Sequence, residues 1–94
     1  RFLPETLELA EAGFVPGGTL RNREAVEPVT GWEPGISDAL RTALCDAQTS
    51  GGLLAIVPKH EASELAAEWE SAGYAASVVG TIEEQAKPML IVEE

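Results

Sequence analysis

Two short segments concentrate the side chains that could do chemistry. The first is Gly17-Gly18-Thr19-Leu20-Arg21-Asn22-Arg23. Paired glycines let a backbone approach a ligand closely and aim its N–H groups at it. Thr19, Arg21 and Asn22 add a hydroxyl, a guanidinium and an amide as donors. That set can hold an anion or a phosphate; a sharp loop with solvated arginines fits the same residues, and the spacing alone favours the loop. The second segment is Gln48-Thr49-Ser50-Gly51-Gly52, set directly before an apolar run. Glycines there serve either a close backbone approach or a tight entry into a sheet, and the polar triplet can cap an element or line a cleft. Neither segment matches G-x-x-x-x-G-K-[ST] or G-x-G-x-x-G.

The usual reactive groups are sparse. Cys45 is the single cysteine, in an apolar context without a local base or cation, so it reads as a buried structural thiol. It also excludes an internal disulfide and any multi-cysteine zinc site. His60 is the single histidine; with no Cys/His cluster or HExxH pattern it reads as a solvated residue at a helix start. Ser50 lies outside a G-x-S-x-G elbow, and the glutamates are spaced as solvated helix faces. No catalytic or metal-ligating residue is assigned.

Composition narrows the partners. Six Lys and Arg stand against 16 Asp and Glu, for a net charge of −10 in 94 residues. A polyanion needs a basic stripe that six scattered cations do not make, so neither nucleic acid nor an anionic membrane surface is expected as a partner. No apolar run approaches the roughly 20 residues of a membrane helix. With 45% hydrophobic residues the chain is globular in type, and a lone cysteine suits a reducing, cytoplasmic compartment. Arg1-Phe2-Leu3-Pro4 is neither an initiator methionine nor a signal peptide, which leads us to expect a chain that has been processed, trimmed or cut from something longer.

The elements that must position these groups are legible in part. Pro4 followed by Leu7 and Ala10, with Gly13 as a stop, predicts a first helix. Residues 20–34 lack a period and carry Pro28, Gly31 and Pro34, so a loop is expected there. Ile36, Leu40, Ala43 and Leu44 predict a helix from about Ser37 to Leu44. The run Leu53-Leu54-Ala55-Ile56-Val57 predicts a strand buried on both faces. Ala62, Leu65, Ala66, Trp69 and Ala72 give the clearest amphipathic helix, stopped by Gly73. Ala75 to Ile82 and Met89-Leu90-Ile91-Val92 predict two further strands, close enough to pair as a hairpin around residues 83–87. Strand, helix, strand over residues 53–82 implies a right-handed crossover within one sheet. The expected fold class is therefore α+β, a mixed sheet with helices packed on it, forming a single domain over residues 1–94.

Taken in order, the two segments resemble one family. Val15-Pro16-Gly17-Gly18-Thr19-Leu20-Arg21-Asn22 is similar to the V-P-G-G-T-x-R-N stretch of the selenophosphate synthetases (selenide, water dikinases). Leu44-Cys45-Asp46-Ala47-Gln48-Thr49-Ser50-Gly51-Gly52-Leu53-Leu54 is similar to their L-x-D-P-Q-T-S-G-G-L-L stretch. One departure is Ala47, where the family usually has proline; it loosens the backbone and removes no polar group. The resemblance implies part of an enzyme that makes selenophosphate from ATP, selenide and water with Mg²⁺, in a superfamily shared with aminoimidazole ribonucleotide synthetase. It implies a partial C-terminal domain, whose ATP-binding N-terminal domain carries the reactive cysteine or selenocysteine, its lysine and the metal-binding aspartates, and forms the homodimer. Cys45, inside the second motif, is not that cysteine. What remains for this chain is a cleft lined by Thr19, Arg21 and Asn22, and by Gln48, Thr49 and Ser50, with no catalytic group, no tightly bound cofactor and no activity alone. The rival reading is a non-enzymatic binding or assembly module sharing this subdomain. A truncated sheet with an open edge also leads us to expect self-association.

Overall fold

A computed structural model describes residues 2–48, 50–84 and 88–93. The chain divides into two compact units, Arg1–Ser50 with Gln85–Glu94, and Gly51–Glu84.

In the first unit, α1 spans Thr6–Glu11, α2 Gly17–Val26, a short 3-10 turn Glu27–Val29, β1 Thr30–Trp32, α3 Asp38–Leu44 and β2 Leu90–Val92. Helix α1 lies against α3 and ends as expected at Gly13, whose φ of 85° lets Phe14 N–H reach the Leu9 carbonyl and Gly13 N–H the Ala10 carbonyl. This is a Schellman closure. Helix α3 starts where Ser37 Oγ accepts the Leu40 N–H at 3.2 Å. Its inner stripe is Ile36, Ala39, Thr42 and Cys45, all buried, whereas the expected face included Leu44, which is 50% exposed. The stripe turns because Thr42 Oγ1 donates to the Asp38 carbonyl and accepts from Arg23, so the hydroxyl is satisfied inside.

The expected loop over residues 20–34 is corrected. Most of it is α2, the 3-10 turn and β1. The helix escapes a hydrophobic reading because its inward residues, Thr19, Asn22 and Arg23, recur at helical spacing but are polar. The partner of the C-terminal strand is corrected too. β2 pairs in parallel with β1, in the register Thr30 to Leu90, Gly31 to Ile91 and Trp32 to Val92. Gly31 makes that pairing possible, since a Cβ there would lie 2.9 Å from Pro88 Cγ. Arg41 stacks 5.4 Å from the centre of the Trp32 ring and donates from Nε to the Ile36 carbonyl, tying α3 to β1.

The second unit carries α4, Ala62–Ser71. Ala62, Leu65, Ala66 and Trp69 of the expected face are its half-buried residues; Ala72, expected with them, is exposed at the C-cap. Gly73, at φ 91°, closes it through the Tyr74 N–H to Trp69 carbonyl bond. Residues 53–57 and 75–82 form no strand, contrary to expectation, so neither the crossover nor a mixed sheet is built from them. The sheet among the described residues has two strands. Leu53, Leu54 and Ile56 are 81%, 72% and 75% exposed. A lone apolar run lacks both a ladder partner and cover for its faces, and without them extended chain is not a strand. The expected turn of the hairpin includes residues 85–87, which lie outside the described residues. The α+β class holds; its sheet is parallel and small.

Candidate functional site

The first glycine-bearing segment is the opening turn of α2, not a free loop. Pro16 occupies the N-cap position and has no side chain to cap with, so the turn is held from elsewhere. Thr19, 1% exposed, donates its hydroxyl hydrogen to Asp46 Oδ1 at 2.8 Å and accepts the Ala47 N–H at 3.3 Å. Asn22 Nδ2 donates to the Cys45 carbonyl at 3.2 Å. Arg23 Nη1 donates to Thr42 Oγ1 at 2.8 Å, and Nη2 bonds and ion-pairs with Asp38. The loop Cys45–Ala47, directly before the second segment, thus fastens to α2 within the first unit.

The space between them is tight. A Cβ on Gly18 would stand 3.0 Å from Ala47 Cβ, closer than apolar carbons settle. Gln48 Nε2 donates to Asp46 Oδ2, so Asp46 accepts from both motifs. The Thr19 and Gln48 hydrogen bonds hold the Asp46 carboxyl below its ordinary range. The Arg23 hydrogen bond does the same for Asp38, and in return keeps Arg23 more firmly protonated. Burial pushes the Cys45 thiol up, away from nucleophilic use, in keeping with a structural thiol.

Arg21 differs from its neighbours. It is exposed, and among the described residues no hydrogen bond or ion pair engages it. Its guanidinium folds back over the glycine pair, with Nη1 3.7 Å from where a Gly17 Cβ would be. Ser50 is exposed, and Thr49 lies outside the described residues. A shallow depression of about 310 Å³ lies elsewhere, lined by Gly31, Trp32, Glu33, Pro88, Ile91 and Glu93, and holds none of the motif residues. His60 is exposed at the start of α4, 3.4 Å from the Glu61 carboxylate. No three His, Cys, Asp or Glu converge among the described residues to hold a metal. No described helix is long and apolar enough to cross a membrane.

Sequence reasoning missed the part played by Asp46, Asp38 and Thr42. Their signal was present: polar residues at positions 19, 22 and 23 of one helix face, followed about 20 residues later by acceptors.

No protein-family model matches the chain, and no solved structure matches it. Curated proteins do. The selenide, water dikinase of Aliarcobacter butzleri is 43% identical over 83 residues, covering 86% of this chain and 24% of that protein. The selenide, water dikinase of Pelobacter propionicus is 38% identical over 91 residues, 96% of this chain and 26% of that protein. Selenide, water dikinase 2 of Peptoclostridium acidaminophilum is 37% identical over 91 residues, again 96% and 26%. The resemblance carried by the two motifs is therefore borne out along most of the chain, which spans about a quarter of the length of these relatives.

Proposed function

We propose that this chain is the C-terminal part of an ATP-dependent selenophosphate synthetase of the aminoimidazole ribonucleotide synthetase-like superfamily. The longer enzyme converts ATP, selenide and water to selenophosphate, AMP and phosphate with Mg²⁺. The observation that carries the reading is identity of 37–43% to selenide, water dikinases over 86–96% of the chain, both motifs in order. In this reading the reactive groups and metal ligands belong to an N-terminal ATP-binding domain, and the enzyme works as a cytoplasmic homodimer. No step is assigned to a metal on this chain, because no ligand set converges among its described residues.

Within that enzyme the α2 turn and the loop after Cys45 line the nucleotide cleft. Phosphoryl transfer is mostly positioning and charge stabilisation, and Arg21 is the motif cation left available for a phosphate oxygen. The exposed run Leu53 to Ile56 suits burial against chain beyond these 94 residues. The test is selenide-dependent release of AMP from ATP, measured for the 94-residue chain and for the full product of its gene. Activity is expected only in the longer product. Turnover by the short chain overturns the reading, and a gene without an upstream ATP-binding domain favours the assembly-module alternative.

A further inference from the structure

Three of the four polar side chains in the segment Gly17–Arg23 already bond to the protein, Asn22 while remaining exposed, and the fourth faces elsewhere. At 100° per residue, Thr19, Asn22 and Arg23 share one side of α2, and Arg21 projects about 150° away from their mean direction. Thr19 has one hydroxyl hydrogen, given to Asp46, and its lone pair receives the Ala47 N–H. At 1% exposure nothing of it is left to meet a ligand. Asn22 reaches the Cys45 carbonyl, and Arg23 spans Thr42 and Asp38. All of these partners belong to α3 or to the turn and loop directly after it. The Ala47 contribution needs a backbone N–H, which a proline at this position, as in the motif this segment resembles, would not have to give.

We propose that Thr19, Asn22 and Arg23 are positioning residues that clasp the Cys45–Gln48 loop to α2, and that Arg21 alone of this motif's side chains meets an anionic ligand. The clasp stands on this chain's own geometry; the ligand half deepens the cleft reading above and rests on it. The clasp sets where Gln48 stands, so it acts on ligand geometry through the loop. It divides a motif that reads as one donor cluster into an inner face that binds the protein and an outer residue that binds the ligand.

The test uses the 94-residue chain and NMR. The Asp46 carboxyl is followed through an acid titration in wild type, Thr19→Val and Thr19→Ser. Valine is expected to move the Asp46 midpoint up toward the ordinary carboxylate range, and serine to keep it low by restoring the hydroxyl. An unchanged midpoint in Thr19→Val overturns the clasp. Should Thr19→Val fail to fold, exchange of the Ala47 amide in wild type decides: slow exchange supports the bond to Thr19, and exchange at the free-peptide rate overturns it. Inorganic phosphate is then titrated while the amides of residues 17–22 are observed. Arg21→Gln is expected to weaken binding at least tenfold, and Thr19→Ser less than twofold. Equal losses overturn the division of roles. A wild-type chain that ignores phosphate while Asp46 behaves as expected leaves the clasp standing and refutes the ligand role of Arg21.

Discussion

Replacing Gly18 with alanine tests the contact between the two motifs most directly. The added methyl would stand 3.0 Å from Ala47 Cβ, where apolar carbons settle at about 3.5–4.0 Å. The loop must give by a few tenths of an ångström, and overpacking of this kind costs about 1–3 kcal/mol, toward the low end because Ala47 is exposed. Against this, alanine is better than glycine in a helix by at most about 1 kcal/mol, less in a first turn. Gly18→Ala alone is therefore expected to destabilise by about 0.5–1 kcal/mol. Ala47→Gly removes the opposing methyl, and in that background Gly18→Ala should stabilise by about 0.5 kcal/mol, since only the helical gain remains. The coupling is then about 1–1.5 kcal/mol. Urea unfolding of the four proteins, followed by far-ultraviolet circular dichroism, reads it as midpoint shifts of about 1 M for a slope near 1 kcal/mol per molar. If the two substitutions add within about 0.5 kcal/mol, the α2 turn does not press on the Ala47 loop and the clasp argument falls.

Acid should weaken the first unit selectively. The Asp38 and Asp46 carboxyls are both held low, so what they contribute is fully present above the ordinary carboxylate range and is lost as pH falls through their folded values; Asp38→Asn with Asp46→Asn should flatten stability against pH below about 4, and an unaltered acid limb would contradict this. Gly31→Ala puts a methyl 2.9 Å from the Pro88 ring and should cost about 1–3 kcal/mol, with amide exchange rising first at β1 and β2; protected strands in that variant would refute the packing. The exposed run from Leu53 to Ile56 should make the isolated chain self-associate, and Ile56→Lys should reduce this; sedimentation of wild type as a clean monomer at millimolar concentration would count against it.

What could be read from the sequence followed from how each element is stabilised. Helix α4 and the stops at Gly13 and Gly73 were legible because apolar period and left-handed glycine are local properties. Helix α2 was not, because its inner face is built from hydrogen bonds between residues 15 to 28 positions apart, which leave no hydrophobic period. The strand β1 was hidden for a related reason: three residues with a central glycine have no strand signature until Pro88 and β2 arrive beside them. The failure at residues 53–57 runs the other way. That sequence has the composition of a buried strand, and the structure denies it a partner; strand propensity describes fit to a pleated, covered surface, and nothing among the described residues provides one. The motif residues were legible as a set, but polar residues at positions 19, 22 and 23 read equally well as a solvated helix face, so their spacing alone does not turn them inward.

Ala47 shows how a departure from a motif can be misread at the level of the residue list. Judged by polar side chains, alanine for proline loses nothing and loosens the loop. In the structure the exchange adds a donor, because Ala47 N–H reaches Thr19 Oγ1 at 3.3 Å. A proline there restricts the unfolded chain, worth about 0.4–1 kcal/mol where its ring fits. The hydrogen bond it forgoes contributes about 0.5–1.5 kcal/mol. The two are of the same size, so alanine and proline are alternative ways of holding one loop, one by restricting its freedom and the other by bonding it to α2. The alternatives are not interchangeable in place: a proline Cδ occupies the direction in which the N–H points, toward a threonine oxygen that cannot move outward because Asp46 holds its hydrogen. Introducing proline at position 47 of this chain therefore requires the Thr19–Asp46 bond to shift with it, and the clasp, rather than the loop alone, is the unit that varies.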